Sequence, residues 1–208
     1  MSKGFDFKGA VVWITGASSG IGEELARQAA ARGAKLVLSA RQQPELERVR
    51  DACLAAGSPD VLVLPLDVLD YDAMPAKTRT VADHFGRIDL LVNNAGISQR
   101  SFCVDTDFSI YRQMMDINVL GQIALTQAVL PVLLDQGSGH IAVTASVAGK
   151  VGAPMRTGYC AAKHAVMGFF DALRTELAAD GIAVTTITPG FIRTNVARNA
   201  LTADGTPL

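Results

Sequence analysis

Cysteine is scarce in this chain of 208 residues, and what there is has no evident partner. Cys53, Cys103 and Cys160 are odd in number, widely spaced and never at C-x-x-C distance. A disulfide framework and a zinc site are both unsupported, and small buried thiols are expected instead. His84, His140 and His164 show no ligand spacing, so no metal is expected. An excess of one charge is missing too: 19 Lys and Arg stand against 20 Asp and Glu, a net −1, with no basic stripe and no run of like charge. Nucleic acid and anionic membrane surfaces are therefore not expected as partners. No apolar run reaches the roughly 18 residues of a membrane span. The best candidate, LGQIALTQAVLPVLL at 120–134, is broken by Gln and Thr, and the opening MSKGFDFKGA lacks the apolar stretch of a secretion signal. A cytoplasmic protein without a membrane segment is the expectation. Linkers, repeats and low-complexity tracts are absent as well. With 49% hydrophobic and 19% charged residues the chain can bury a sizeable core, so a single domain over 1–208 is expected.

What is there alternates. AVVWI (10–14), KLVLSA (35–40), VLVLPL (61–66), IDLLVN (88–93), HIAVTA (140–145) and IAVTTIT (182–188) are short apolar runs rich in β-branched residues. Such runs suit strands covered on both faces, as in a parallel sheet. Between them lie longer stretches with helical spacing. IGEELARQAAARG ends at Gly33, and PELERVRDACLAAG opens with Pro44 in a first turn and stops at Gly57. The stretch 107–137 is long enough for one helix or a bent pair, with Gly121 and Pro131 as the expected irregularities. A last helix is expected over 158–181, ending at Gly181. Alternation of strand and helix predicts a doubly wound α/β fold with its ligand crevice beyond the carboxyl ends of the strands.

Three motifs carry chemistry. The first strand runs into TGASSGIG (15–22), with glycines at 16, 20 and 22. A glycine-rich turn between a first strand and helix lets backbone approach a phosphate and aims a helix N-terminus at its charge. YCAAK (159–163) places Tyr159 and Lys163 four residues apart, on one face of a helix. NNAG occupies 93–96. Taken singly, each has an ordinary structural explanation: a tight turn, a polar-tipped aromatic beside a solvated amine, a loop.

Taken together and in order, these motifs resemble the short-chain dehydrogenase/reductase family over about residues 9 to 197. LDV (66–68), INV (117–119) and PGFIRTN (189–195) add to the match. The resemblance implies a three-layered Rossmann fold and a catalytic tetrad at Asn118, Ser146, Tyr159 and Lys163. It implies cofactor contacts from Gly16, Ser18, Ser19, Gly20, Ile21 and Gly22 of the glycine turn. Asp67 and Val68 would flank the adenine, and Asn93, Asn94, Ala95 and Gly96 would line the adenosine side. Pro189, Gly190, Ile192 and Thr194 would meet the nicotinamide, with Thr194 holding its carboxamide. Asn118 would anchor a water linking Lys163 to solvent. Members commonly pair their long helices, so a homodimer or homotetramer is expected, with Phe169 and Phe170 among the apolar residues available for the contact.

Physical chemistry gives these assignments content. A free phenol is ionised only about once in a thousand molecules at pH 7. A lysine ammonium one turn along favours the phenolate, as a helix N-terminus or a bound nicotinamide cation would. Lys163 would also hold the nicotinamide ribose, and Ser146 would donate to the same substrate oxygen as charge develops on it. The second strand ends in LVLSAR without an acid, which puts Arg41 where a 2′-phosphate would lie and Glu45 beyond Pro44. NADP(H) is therefore expected over NAD(H). The expected reaction is hydride transfer between that cofactor and a small-molecule carbonyl or alcohol, with Tyr159 as general acid and base. An NAD(H)-linked dehydrogenase and a dinucleotide-binding regulator without turnover are the alternatives. Substrate choice would rest on loops near 97–105 and 147–157 and on the segment after PGFIRTN. Members usually carry a further helix and strand after this motif, and the sequence stops at Leu208, so a C-terminus either naturally short or incomplete is expected.

Overall fold

The computed structural model describes residues 4–196 and 198–208. Six parallel strands form one sheet in the order β3-β2-β1-β4-β5-β6: β1 (Val11–Thr15), β2 (Lys35–Ser39), β3 (Val61–Val63), β4 (Leu90–Asn93), β5 (Gly139–Thr144) and β6 (Ile182–Ile187). Strand alternation divides the apolar residues between two cores. Val11 and Trp13 of β1 join Val37, Leu91, Ile141 and Val143 on one face. Val12 and Ile14 join Leu36, Leu38, Leu90 and Val92 on the other. Each central strand is thus apolar over most of its length because both sides are covered. Trp13 is completely buried, and its indole Nε1 donates to Ser39 Oγ at 2.9 Å.

Helices α1 (Gly20–Ala30) and α2 (Gln43–Ala56) cover the second face. The first is covered by α3 (Met74–Phe85), the long helix made of α4 (Phe108–Met115) and α5 (Gly121–Gln136), and α6 (Thr157–Glu176). Covering helices make three layers over β1 to β3. Over β6 the layering is incomplete: Ile182 and Val184 are buried against α6, whereas Ala183 and Thr185 on the opposite face are exposed.

Several expectations change. α3 was not among the expected helices; its buried side is only Met74, Thr78 and Val81. α6 stops at Glu176, before Gly181, which turns the chain at φ 72° instead. α4 and α5 run on as one helix through a π turn at Asp116–Leu120, just before the expected irregularity at Gly121. Pro131 stays inside the helix. Its missing N–H would leave the Gln127 carbonyl without its helical partner, at a residue that is exposed. The continuous helix Phe108–Gln136 is long and apolar enough to cross a membrane, contrary to the expectation that Gln and Thr break the run. Half of its most apolar stretch is buried in this fold, where α5 packs on α3, β4 and β5. Cys103 is exposed rather than buried, while Cys53 and Cys160 are buried and all three are free. Phe170 is fully buried and so unavailable to a partner; Phe169 is half-buried and meets it edge to face at 5.1 Å.

Strand order reverses between β1 and β4. A crevice opens beyond their carboxyl ends, at the topological switch point.

Candidate active site

The crevice is a cavity of about 570 Å³ that runs from the end of β2 to the start of α6. Its floor is stitched by polar groups from three strands. Thr15 Oγ1 accepts the backbone N–H groups of Asn94 and Ala95, each at 3.0 Å. Asn94 Nδ2 donates to the Thr15 carbonyl at 3.0 Å, and its Oδ1 accepts from Thr144 Oγ1 at 3.2 Å. One amide thereby ties the ends of β1, β4 and β5 together.

The glycine turn lies on this floor. At Gly16 φ is +63°, and a Cβ there would stand 2.9 Å from the Ala95 Cα. A Cβ on Gly22 would run into the Gly16 carbonyl and sit 2.6 Å from Asn94 Nδ2. Only backbone fits between turn and floor. Gly16, Ser18, Ser19, Gly20 and Ile21 line the cavity; Gly22 lies behind the turn, packing it in place rather than facing a ligand. Ser19 precedes α1 in an extended conformation and makes no side-chain cap. The first-turn N–H groups of α1 are thus free to meet an anion.

Beyond the turn, Arg41, Asp67 and Val68 line the same cavity together with Ala95 and Gly96. A Cβ on Gly121 would come within 2.6 Å of the Val68 carbonyl, so the long helix presses on this wall directly. Arg41 is exposed and has no acidic partner among the described residues. Further along α2, Arg48 holds Glu23 at 2.8 Å and Glu45 at 2.9 Å. That guanidinium also keeps the Glu23 carboxyl below the usual carboxylate range.

At the far end, α6 brings Tyr159 and Lys163 to one wall, as the four-residue spacing requires. Lys163 Nζ lies 5.8 Å from the Tyr159 ring centroid and donates to the Thr144 carbonyl at 2.8 Å. Only 4% of Lys163 is exposed, and burial pushes its ammonium down from the ordinary 10.5 to about 8. Ser146, just past β5, accepts from the Ala148 N–H at 3.1 Å. Its own hydroxyl proton is left free to point into the cavity. Asn118 sits in the π turn, where its Nδ2 donates to the Met114 carbonyl at 3.0 Å and its Oδ1 accepts from the Ile97 N–H at 3.1 Å. Each end of the amide thus has a backbone partner. Gly96 lies between this amide and Lys163: a Cβ there would be 2.6 Å from Asn118 Oδ1 and 3.7 Å from Lys163 Nζ.

Pro189, Gly190, Ile192 and Thr194, expected to meet the nicotinamide, line the same cavity. Thr194 packs on the glycine turn, 3.2 Å from where a Gly20 Cβ would be. Asn93 departs from expectation. It is fully buried, outside the cavity, with Nδ2 donating to Thr126 Oγ1 at 2.9 Å, because strand alternation sends residue 93 toward α5 and residue 94 toward the cleft. Ser98, Val196, Asn199, Leu201 and Pro207 line the cavity from the 97–105 loop and the segment after PGFIRTN, where substrate contacts were expected. Thr15, in the glycine motif but given no role there, and Gln122 are the supports that sequence reasoning missed. Gln122 Nε2 donates to the Ala95 carbonyl at 2.9 Å, and Leu201 pairs with Gln99. The partners of Thr15 and Gln122 are distant in sequence.

Comparison with known proteins agrees with this geometry. The family described as short chain dehydrogenase matches residues 10–205. The chain is 50% identical over 200 residues to human dehydrogenase/reductase SDR family member 7, covering 94% of this chain and 59% of that protein. It is 41% identical to bovine member 7B, covering 95% and 62%. The chain thus spans about three-fifths of the length of these relatives. Among solved structures, levodione reductase superposes with a TM-score of 0.89 at 35% identity, covering 93% of this chain and 76% of that one. A short-chain dehydrogenase/reductase from Burkholderia phymatum in complex with NAD superposes at 0.88 and 33% identity, covering 93% and 69%. Glycine turn, buried lysine beside a tyrosine, sheet order and sequence all converge: the chain belongs to the short-chain dehydrogenase/reductase family of oxidoreductases, whose members bind a nicotinamide dinucleotide.

Proposed function

We propose that this protein is an NADP(H)-dependent carbonyl reductase or alcohol dehydrogenase in which Tyr159 exchanges a proton with the substrate oxygen. The observation that carries the reading is one continuous cavity with Tyr159, Lys163 and Ser146 at one end and Arg41 at the other. The residues fit the cofactor. Bare backbone at Gly16 and Gly20 and the uncapped start of α1 suit a pyrophosphate. Ser18 and the unpaired Arg41 suit a 2′-phosphate, which no free carboxylate at the end of β2 would repel. NAD(H) is the second reading, favoured by the NAD complex of the Burkholderia relative.

When bound, the nicotinamide supplies the hydride in reduction and accepts it in oxidation. In the reducing direction Tyr159 gives its hydroxyl proton to the carbonyl oxygen as that oxygen becomes basic. Ser146 donates a hydrogen bond to the same oxygen with the proton that its contact to Ala148 leaves free. Lys163 places its ammonium beside the phenol and favours the phenolate left behind. Asn118 holds the π turn against Ile97 and so fixes the wall behind Lys163. Ile192, Val196, Leu201 and Pro207 line the mouth, which suits a mostly apolar small-molecule carbonyl compound. A cytoplasmic homodimer or homotetramer belongs to the same proposal, supported by exposed Leu120 and Leu134 on the long helix.

The test is a panel of ketones, aldehydes and the matching alcohols, run with NADPH and separately with NADH. Turnover with NADPH and a lower KM for it than for NADH supports the proposal. Tighter use of NADH transfers it to the second reading, and no turnover with either cofactor refutes it.

A further inference from the structure

One cation at the site has no role in the chemistry above. Arg156 immediately precedes α6, three residues before Tyr159, and its guanidinium carbon lies 5.7 Å from the Tyr159 ring centroid, much as Lys163 Nζ does at 5.8 Å. Its Nη1 donates at 2.7 Å to Ser98 Oγ, and Ser98 is 1% exposed and lines the cavity. No acidic residue pairs with Arg156 among the described residues, so its direction is set by the serine and the ring.

The backbone on either side is arranged to make this possible. Met155 has φ +62° and is the one non-glycine residue with positive φ among those described. Side chains resist that conformation, and it persists only where the surroundings impose it. Here the Met155 carbonyl accepts the Ser101 N–H at 3.0 Å. Ser101 is itself buried, with its Oγ bonded to Gln99 Nε2 at 2.7 Å. The 98–101 loop therefore grips the start of α6 twice, once through backbone at Met155 and once through Arg156. Tyr159 is the residue both grips locate.

We propose that Arg156 is a positioning residue: it clamps the Tyr159 ring and the 98–101 loop into one unit, so that the phenol and the substrate wall move together. This rests on the reading of Tyr159 as the proton donor, and the experiment separates the two. Arg156→Met, Ser98→Ala and the double variant are purified and compared with wild type. Misplacing a reacting group by about 1 Å costs on the order of a hundredfold, so kcat in R156M falls at least tenfold. Its NADPH Kd stays within about twofold, because no cofactor contact is touched. S98A lowers kcat by less, and in the R156M background it adds nothing further, since residues acting through one contact are non-additive. Amide hydrogen exchange over 97–101 accelerates in both single variants and needs no turnover to be read. Ser98→Ala removes one hydroxyl only, so its exchange data decide the matter if R156M fails to fold. Unchanged kcat in folded R156M, multiplicative effects in the double variant, or unaltered exchange over 97–101 each overturn the clamp. Absence of carbonyl turnover in wild type would instead refute the proposed function, while exchange still judges Arg156.

Discussion

Holding Lys163 in place carries a cost that can be measured. Its ammonium is buried and pushed down from 10.5 to about 8 with no carboxylate beside it, only the Thr144 carbonyl at 2.8 Å. In the unfolded chain it titrates near the ordinary value. Below pH 8 both states carry the proton, and the folded protein bears the whole cost of burying it. Between pH 8 and 10.5 the folded state releases a proton that the unfolded state still binds, so stability rises with pH across that window. Each factor of ten in proton affinity is worth about 1.4 kcal/mol, which makes the gain about 2 to 3 kcal/mol by pH 10. Lys163→Met fills a similar volume without a titrating group. Subtracting the variant from wild type cancels the other titrating groups, including the Cys53 thiol that burial raises to about 11. The assay is urea unfolding of the cofactor-free protein between pH 7 and 10, followed by fluorescence of Trp13, the one tryptophan in the chain. The wild-type curve should gain about 2 to 3 kcal/mol relative to K163M over that range. A difference that stays constant with pH would show that Lys163 is not held as a costly buried charge.

Three substitutions probe the rest of the cavity. Arg41→Ala should weaken NADPH binding by about ten- to a hundredfold, the worth of a charge-assisted contact, and leave NADH binding nearly unchanged, as read by quenching of Trp13. Asn94→Ala removes the amide that joins Thr15 and Thr144, so it should destabilise the fold by about 1 to 3 kcal/mol in urea unfolding and weaken both cofactors alike. Ser146→Ala should lower kcat by about a hundredfold or more with little change in cofactor Kd, since its free proton meets the substrate oxygen only as charge builds.

Much of this architecture is written locally. Each strand of the sheet is a short β-branched run, and parity alone sorts Val11 and Trp13 from Val12 and Ile14 into opposite cores. The motif spacing also brings Gly16, Tyr159 and Lys163 to one cavity. What was not legible depends on partners far along the chain or on weak periodicity. α3 shows few apolar residues because its buried side includes Thr78, and Pro75 reads as a breaker although it occupies the first turn, where it is tolerated. NNAG does not say which asparagine faces the cleft; that depends on where β4 meets α5. The π turn is equally silent, since it is settled by Asn118 taking the Met114 carbonyl while Ile97 holds its other end. Arg156 stands in no motif, and its contact with Ser98 spans 58 residues.

The most direct measurement is the kcat of Tyr159→Phe on a carbonyl substrate with saturating NADPH, beside the Kd of that cofactor. Removing one hydroxyl from the cavity wall should lower kcat by about a hundredfold to ten-thousandfold while the Kd stays within about threefold. Turnover within tenfold of wild type would mean that the proton comes from elsewhere, and Tyr159 would lose the role assigned to it.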